Sequence, residues 1–532
     1  MLREKVERMR VIFAALLFAL CSPLQAETPD RKPNIVVVLV DDLRFDELGF
    51  MGADVPTPAM DRLAAEGVIM RNAFVTTSLC SPSRASLLTG LSMRNHGVVD
   101  NNVPLSDALT IFPEKLQHAG YRTALIGKWH MGSGADPRRG FDHWVSFPGQ
   151  GSYNPRDLLG LPSVLNVNGE EVRQEGYISD ELTRYASDWL RQLDSKRPFL
   201  LYIAHKGVHA PFTPAARHRG TLEAGAPDLS QSRKGDENGT PMWVTNQRNS
   251  WHGVEFAYHD VLAMGEFRRD YRETLRSVDD SIARLREVLA ELGRLENTIV
   301  FVTSDNGFLL GEHGLIDKRN AYEASMRVPM IAWGPQFFGT RRDSASLIAN
   351  IDLAPTILEL AGAEPLANID GISFAPILLG REGDAREELV YEYYWEFNYP
   401  QTPTTFALRD HRFKYIQYHG VWDTEELFDL AADPFETNNL VADPDYTDTL
   451  IQMRLRLFAG LASRDGSHQI AFSRKFNQGA VFRLQQGSRA AEFPERWLRE
   501  PGAFDRLEHV LPDGPQKEAL IQQLNAALGS DD

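Results

Sequence analysis

Asn34-Ile-Val-Val-Val-Leu-Val40, followed at once by Asp41-Asp42, decides the fold. The run is apolar after its first residue, rich in valine and without polar alternation, so it suits a strand buried on both faces of a parallel sheet. Three other stretches repeat the form. Asn297-Thr-Ile-Val-Phe-Val-Thr303 leads into Ser304-Asp305-Asn306-Gly307, and Tyr121 to Ile126 leads into Gly127-Lys128-Trp129-His130. Phe199 to Ala204 leads into His205-Lys206-Gly207-Val208-His209. Ligands of open α/β sheets lie beyond the carboxyl ends of the strands, so the four polar clusters are expected to meet along one edge. Leu275, Val278, Ile282, Leu285, Leu289 and Leu292 recur at helical spacing before Gly293, which predicts an amphipathic crossover helix. Strands and helices alternating from residue 33 to 380 predict an α/β fold, a large, mostly parallel sheet sandwiched by helices.

Beyond residue 385 the texture changes. Val390 to Phe397, Thr405 to Leu408 and Phe413 to Tyr418 are short aromatic or β-rich runs separated by turn residues. They predict a smaller antiparallel sheet, closed by a helix around Asp445 to Leu461. The expected organisation is a leader over 1–26, a catalytic domain over 27–384, a C-terminal subdomain over 385–462 and an extension over 463–532. The extension has no assigned role; it contains one helical stretch near Gln516 to Leu528.

Over 532 residues, 43% hydrophobic and 24% charged side chains exclude wholesale disorder and a multi-span membrane protein. The net charge of −17 excludes non-specific capture of nucleic acid or anionic membrane. An anionic substrate would therefore need cations gathered locally. Arg3, Lys5, Arg8 and Arg10 precede the apolar run Val11 to Leu20 and then Leu24-Gln25-Ala26, which reads as a secretory signal peptide. The run is about half the roughly 20 residues that a spanning helix needs, so the expectation is export, periplasmic or secreted, without a transmembrane anchor. Cys21 follows Phe18-Ala19-Leu20 and lacks the small preceding residue of a lipid-modified cysteine, which argues against a lipoprotein. With Cys21 removed in the leader, Cys80 is a single thiol in an exported chain and cannot form an internal disulfide.

Asp41, Asp42, Asp305 and Asn306 offer hard oxygen donors at the ends of two buried strands, a set suited to Ca²⁺ or Mg²⁺ rather than zinc. Cys80-Ser-Pro-Ser-Arg84 continues through Ala-Ser-Leu-Leu to Thr89-Gly90. Pro82 places Cys80 at a helix start, where free N–H groups and the macrodipole favour a negative or nucleophilic group. This stretch resembles the signature of type I sulfatases of the alkaline phosphatase superfamily, in which the cysteine becomes Cα-formylglycine. Leu39-Val-Asp-Asp42 and Thr303-Ser-Asp-Asn-Gly307 are similar to the family's two metal pairs, with position 80 also facing the metal. Gly127-Lys128-Trp-His130, Val208-His209-Ala-Pro211 and Gly311-Glu-His-Gly-Leu-Ile-Asp-Lys318 resemble its active-site elements, and Glu425 to Leu430 with Asp433-Pro434 resembles its C-terminal subdomain.

What the resemblance implies is chemically coherent. A formylglycine-generating maturation enzyme would convert Cys80, and the aldehyde would hydrate to a diol. One hydroxyl, held on Ca²⁺ and deprotonated with help from Asp305, would attack sulfur; the second would pass its proton toward His130 as sulfate leaves. Arg84 and Lys128 would hold the diol, and His209 with Lys318 would meet the leaving alkoxide. His205 and Lys206, neighbours outside the motif, read as solvated surface groups.

For substrate, Asn95-His96-Gly-Val-Val-Asp-Asn-Asn102 resembles a stretch of sulfatases that remove 6-O-sulfate from glucosamine, with one additional residue before the final Asn pair. Gln150, Ser152 and Trp251 supply amide, hydroxyl and aromatic groups suited to a sugar. The expectation is an exo-acting sulfatase for a sulfated carbohydrate, with 6-O-sulfated N-acetylglucosamine as the specific candidate. Two rivals are a phosphodiester or phosphonate hydrolase of the same superfamily and a non-catalytic sulfated-glycan-binding protein.

Overall fold

The computed structural model describes residues 32–194, 196–224, 239–250, 252–254, 264–339, 341–381, 386–419 and 424–463. The expected leader, Trp251 and the helix near Gln516 to Leu528 lie outside the described residues, as does the extension after Ser463. The strands of the main sheet are β1 (Asn34–Val40), β2 (Val68–Phe74), β3 (Arg122–Gly127), β4 (His143–Ser146), β5 (Val164–Val167), β6 (Glu170–Arg173), β7 (Phe199–Ala204), β8 (Thr298–Ser304), β9 (Met330–Trp333) and β10 (Arg342–Ala349). Their spatial order is β10-β2-β9-β8-β1-β7-β3-β4-β5-β6. The four strands read from sequence stand together as β8-β1-β7-β3, all parallel, with Val36 of β1 between Val300 and Leu201. β9 runs antiparallel to both of its neighbours, and β5 and β6 add an antiparallel edge.

Five helices matter to the argument: α1 (Pro58–Glu66), α2 (Cys80–Thr89), α3 (Ile178–Gln192), α4 (Met264–Glu291) and α5 (Thr447–Ser463). The absence of polar alternation in β1 now has its reason. Ile35, Val37 and Leu39 pack with Ala85, Leu87 and Leu88 of α2 on one face. Val36, Val38 and Val40 pack with α3 and with Leu275, Val278 and Ile282 of α4 on the other. Each fully buried aliphatic side chain contributes about 1.5–3 kcal/mol. The helix expected from Leu275 begins earlier, at Met264, and stops where the sequence indicated, with Gly293 in the left-handed region at φ 62°.

The second sheet is antiparallel: β11 (Glu388–Tyr393), β12 (Thr404–Asp410), β13 (Phe413–His419) and β14 (Glu425–Asp429), in that order. Met453 and Leu457 of α5 cover Phe406, Leu408 and Tyr415 on one face. β11 is tied to the segment leading into α2, where Glu392 N–H donates to the Thr76 carbonyl (2.9 Å) and Thr77 Oγ1 donates to the Glu392 carbonyl (2.8 Å). The small sheet thereby buttresses the chain that delivers Cys80.

Candidate active site

Leu79 is extended and Cys80 opens α2, where Asn101 Oδ1 accepts from the Ser81 N–H (3.0 Å) and satisfies one of the free amides of the first turn. The Cys80 thiol is fully buried; Sγ lies 3.5 Å from Asp41 Oδ1 and accepts from Lys318 Nζ at 3.0 Å. Burial outweighs the nearby Lys128 and Lys318 and pushes the thiol up to about 12. At neutral pH the sulfur is therefore not a thiolate and is a poor nucleophile as it stands.

Parallel pairing sets Val40 opposite Ser304, so the residues after β1 and β8 emerge side by side. Asp305 accepts from the Asp42 N–H (3.1 Å), and Asn306 Nδ2 donates to Asp42 Oδ1 (2.6 Å). This leaves Asn306 Oδ1 buried with no donor among the described residues. Ligand atoms of Asp41, Cys80 and Asp305 lie within 4.8 Å of one another. Three buried carboxylates and an unmatched amide oxygen form a donor set that fits a hard divalent cation.

Each carboxylate is paired with a cation, and Arg84 also reaches Asp41 (3.8 Å). Lys128 Nζ contacts Asp41, Lys318 Nζ contacts Asp42, and Arg84 donates from Nε to Asp305 Oδ2 (2.8 Å), with Nη2 in ion-pair contact with the same oxygen (2.8 Å). Arg84 Nη1 also donates to the Lys128 carbonyl (2.7 Å), and Lys128 donates to Gln150 Oε1 (2.6 Å). Burial opposes ionisation of Asp41, yet Lys128 and its neighbours hold that carboxyl well below the usual range. Asp305 goes the other way, raised to about 7 by burial and then by Asp41, with Arg84 only partly offsetting them. Such like-charge crowding is what a bound dication would relieve.

His130 and His209 are both held well below the usual imidazole range, first by burial and then by the ammonium groups of Lys128 and Lys318. His209 Nδ1 faces the Ala210 carbonyl at 2.6 Å, so Nδ1 carries the proton and Nε2, 3.9 Å from Asp42 Oδ2, is free to accept. Ser81 Oγ donates to the His130 carbonyl and lies 3.4 Å from its Nδ1. Asp42 and His130 occupy the left-handed region, with φ of 60° and 58°, which turns both side chains off their strand ends. Gly127 is required because a Cβ there would strike the Ala204 carbonyl where β3 meets β7.

Asp41, Asp42, Cys80, Arg84, Lys128, His130, His209, Asp305, Asn306 and Lys318 thus converge, and Gln150 joins them. The structure does not bring Asn95 and His96 to this group. Asn95 Nδ2 is spent on Asp370 (2.9 and 3.0 Å), and Asp370 N–H in turn donates to the Gly90 carbonyl just past the far end of α2. His96 is buried against Ser86 Oγ (3.1 Å) and the Val98 N–H (3.0 Å). Asn95 is therefore held at the far end of α2, about 15 Å from its start, whereas His96 packs along the flank of the helix. Ser152 Oγ is engaged locally with the Arg156 carbonyl (3.2 Å). His205 and Lys206 are corrected: both are buried, because their segment is hydrogen-bonded to the end of β1 through His205 N–H to Leu39 O (2.8 Å). Sequence reasoning also passed over Asn101 as the amide partner of Ser81, and over Tyr271, whose hydroxyl donates to the Asp42 carbonyl (2.8 Å).

The sulfatase family model matches residues 33–363, which carry every residue of the converged group. The chain belongs to the sulfatase family. A second model, N-sulphoglucosamine sulphohydrolase, C-terminal, matches residues 311–462. The sulfatase is 32% identical over 498 residues to an N-acetylglucosamine-6-O-sulfatase of Bacteroides thetaiotaomicron, covering 81% of this chain and 87% of that one. It is 29% identical over 480 residues to the multifunctional alkaline phosphatase superfamily protein PehA of Trinickia caryophylli, covering 78% and 92%. Among solved structures it resembles BT4656 in complex with its substrate D-glucosamine-2-N,6-O-disulfate, with a TM-score of 0.71 at 28% identity over 82% of this chain and 99% of that one. Among the described residues of this sulfatase no helix is long and apolar enough to cross a membrane.

Proposed function

We propose that this sulfatase is exported to the periplasm or beyond, is matured by oxidation of Cys80 to formylglycine, and releases sulfate from the end of a sulfated carbohydrate. The preferred unit is 6-O-sulfated N-acetylglucosamine. The observation that carries the reading is Cys80 itself: a buried thiol too weakly acidic to attack, enclosed by Asp41, Asp305 and Lys318. Asp41, Asp42, Asp305 and Asn306 would hold the cation, Ca²⁺ ahead of Mg²⁺. When bound, the cation supplies Lewis acidity, and the hydrated aldehyde at position 80 supplies a hydroxyl nucleophile where sulfur could not serve.

The surrounding side chains divide the remaining work. Asp305 would take up the proton of the attacking hydroxyl, with Arg84 fixing its Oδ2. Lys128 and Lys318 would donate to the sulfate oxygens, and Lys318, which burial disfavours as a cation but Asp42 and Asp41 hold charged, would also face charge developing on the leaving oxygen. Neutral His130 accepts the proton of the second hydroxyl. His209 accepts at Nε2 in its resting tautomer, so it protonates the leaving oxygen only after gaining a proton itself. Deep burial of Cys80 and Lys128 supports action on a chain end, since an internal sugar would bring backbone on both sides. The N-acetylglucosamine-6-O-sulfatase relative supports the choice of sugar.

A sulfate monoester and a phosphodiester each carry one negative charge, so the pocket's cations do not separate them, and the PehA relative keeps the second reading in view. Matured protein should release sulfate from 6-sulfated N-acetylglucosamine but not from 6-sulfated galactose, and should turn over aryl sulfate faster than aryl phosphodiester. Mass spectrometry of the peptide spanning Cys80 should show formylglycine. An unmodified thiol after expression with a competent maturation enzyme would instead favour a sulfated-glycan-binding protein.

A further inference from the structure

Lys206 is only 3% exposed, although the sequence placed it in solvent. Its segment is hydrogen-bonded to the frame of the site: Lys206 O accepts from the His209 N–H (3.0 Å), Asp41 N–H donates to Gly207 O (3.0 Å), and Val208 N–H donates to Asp41 O (2.7 Å). The ammonium rests over the Tyr153 ring, 4.6 Å from its centroid, and the Tyr153 hydroxyl donates to the His209 carbonyl (2.7 Å). Lys206 therefore flanks the site on the side of His209, where the leaving sugar is placed by the reading above.

Of Arg84, Lys128, Lys206 and Lys318, Lys206 alone forms no ion pair with a described residue. Asp41, Asp42 and Asp305 are matched by Lys128, Lys318 and Arg84, and among the described residues no carboxylate pairs with Lys206. A buried ammonium without a counter-ion is costly, and an aromatic face offsets only part of that cost. Burial, and then Lys128, lower its pKa to about 8 while Asp41 and Asp42 oppose them from beyond ion-pair distance, which leaves it mainly charged at neutral pH.

We propose that Lys206 is a substrate-recognition residue that binds a second anionic group, a sulfate or a carboxylate, carried by the substrate beyond the ester that is cleaved. The inference rests on the sulfatase reading of the same site and narrows its substrate to carbohydrates with at least two anionic groups. In the matured full-length protein, kcat/KM is compared for glucosamine-2-N,6-O-disulfate, for N-acetylglucosamine-6-sulfate, and for the latter linked to a uronic acid. The wild type should favour one of the two doubly anionic sugars by about tenfold or more, and which one distinguishes a sulfate from a carboxylate partner. Lys206→Met should bring that ratio below about threefold through KM, while Lys206→Arg, which keeps the charge, should retain most of it. Lys206→Gln serves the same comparison if the methionine variant fails to fold. A wild type without the preference, or neutral variants that keep it, overturns the proposal while leaving the sulfatase reading intact. A wild type that releases sulfate from none of the three overturns both.

Discussion

Gln150 offers the sharpest test of how the pocket's charge works. Its Oε1 accepts from Lys128 Nζ at 2.6 Å, and Lys128 also contacts Asp41, so the amide and the carboxylate together fix the ammonium. Gln150→Ala removes one hydrogen bond to a charged group, worth about 1.5–3 kcal/mol; because Gln150 is half-buried and water can replace it, the lower end applies and kcat/KM should fall by about tenfold. Gln150→Glu is nearly isosteric but adds a negative charge. A sulfate held by Lys128 lies within two hydrogen-bond lengths of position 150, about 5.5 Å, and repulsion at an effective dielectric near 20 costs about 3 kcal/mol. Glutamate should therefore be the worse variant, losing roughly a hundredfold on aryl sulfate and on 6-sulfated N-acetylglucosamine alike. A purely structural role predicts the opposite ranking, since glutamate keeps the shape and the acceptor. The reasoning fails if Gln150→Glu is as active as Gln150→Ala or more so, with both proteins melting like the wild type.

Other consequences are equally specific. Arg84→Met leaves Asp305 buried without its guanidinium, a break worth about 3–5 kcal/mol; denaturant unfolding should show the loss, and Arg84→Lys should recover only part of it and little of the sulfate release. Because Asp305 is raised to about 7, a cation must displace its proton at lower pH, so Ca²⁺ affinity measured by calorimetry should weaken as pH falls below about 7. A flat affinity from about pH 5.5 to 8 would contradict that assignment. Glu426, buried and accepting from Tyr322 and Tyr418, is raised from 4.5 to about 8 by burial, despite the opposing tyrosine hydrogen bonds. As an acid with a raised folded pKa, it contributes stability that is fully present below about 4.5 and lost as pH rises through about 8, by up to about 1.4 kcal/mol per pH unit. Glu426→Gln stays neutral, so its melting temperature relative to wild type should rise between about pH 5.5 and 7.5; parallel melting curves would show that Glu426 is ionised throughout.

What could be read from the chain follows from where each signal is written. β1, β3, β7 and β8 are buried on both faces, and that demand appears locally as an unbroken apolar run. β2 carries Arg71 and Asn72 at partly exposed positions, and β9 is a four-residue strand, so neither shows such a run. The converged site residues were legible because each belongs to a short stretch whose chemistry dictates its residue types. Asn95 and His96 rest on a shorter resemblance, and nothing local shows that Asn95 is tied to Asp370 beyond the far end of α2 while His96 packs along its flank against Ser86.

Lys206 marks the deeper limit. Four residues after Tyr202 in chain order, nothing local distinguishes a solvated lysine from a buried one; the difference arises from Gly207 and Val208 hydrogen-bonding across to Asp41. Likewise, that each carboxylate of the site is paired with a cation while Lys206 forms no ion pair is a property of which strands are neighbours and not of any motif. Charge balance at a buried site is set by the sheet order β8-β1-β7-β3, which brings Asp305, Asp41, Lys206 and Lys128 from four separate stretches to one edge. A residue whose charge this arrangement leaves unmatched is where the needs of the substrate, rather than those of the fold, are expected to be written.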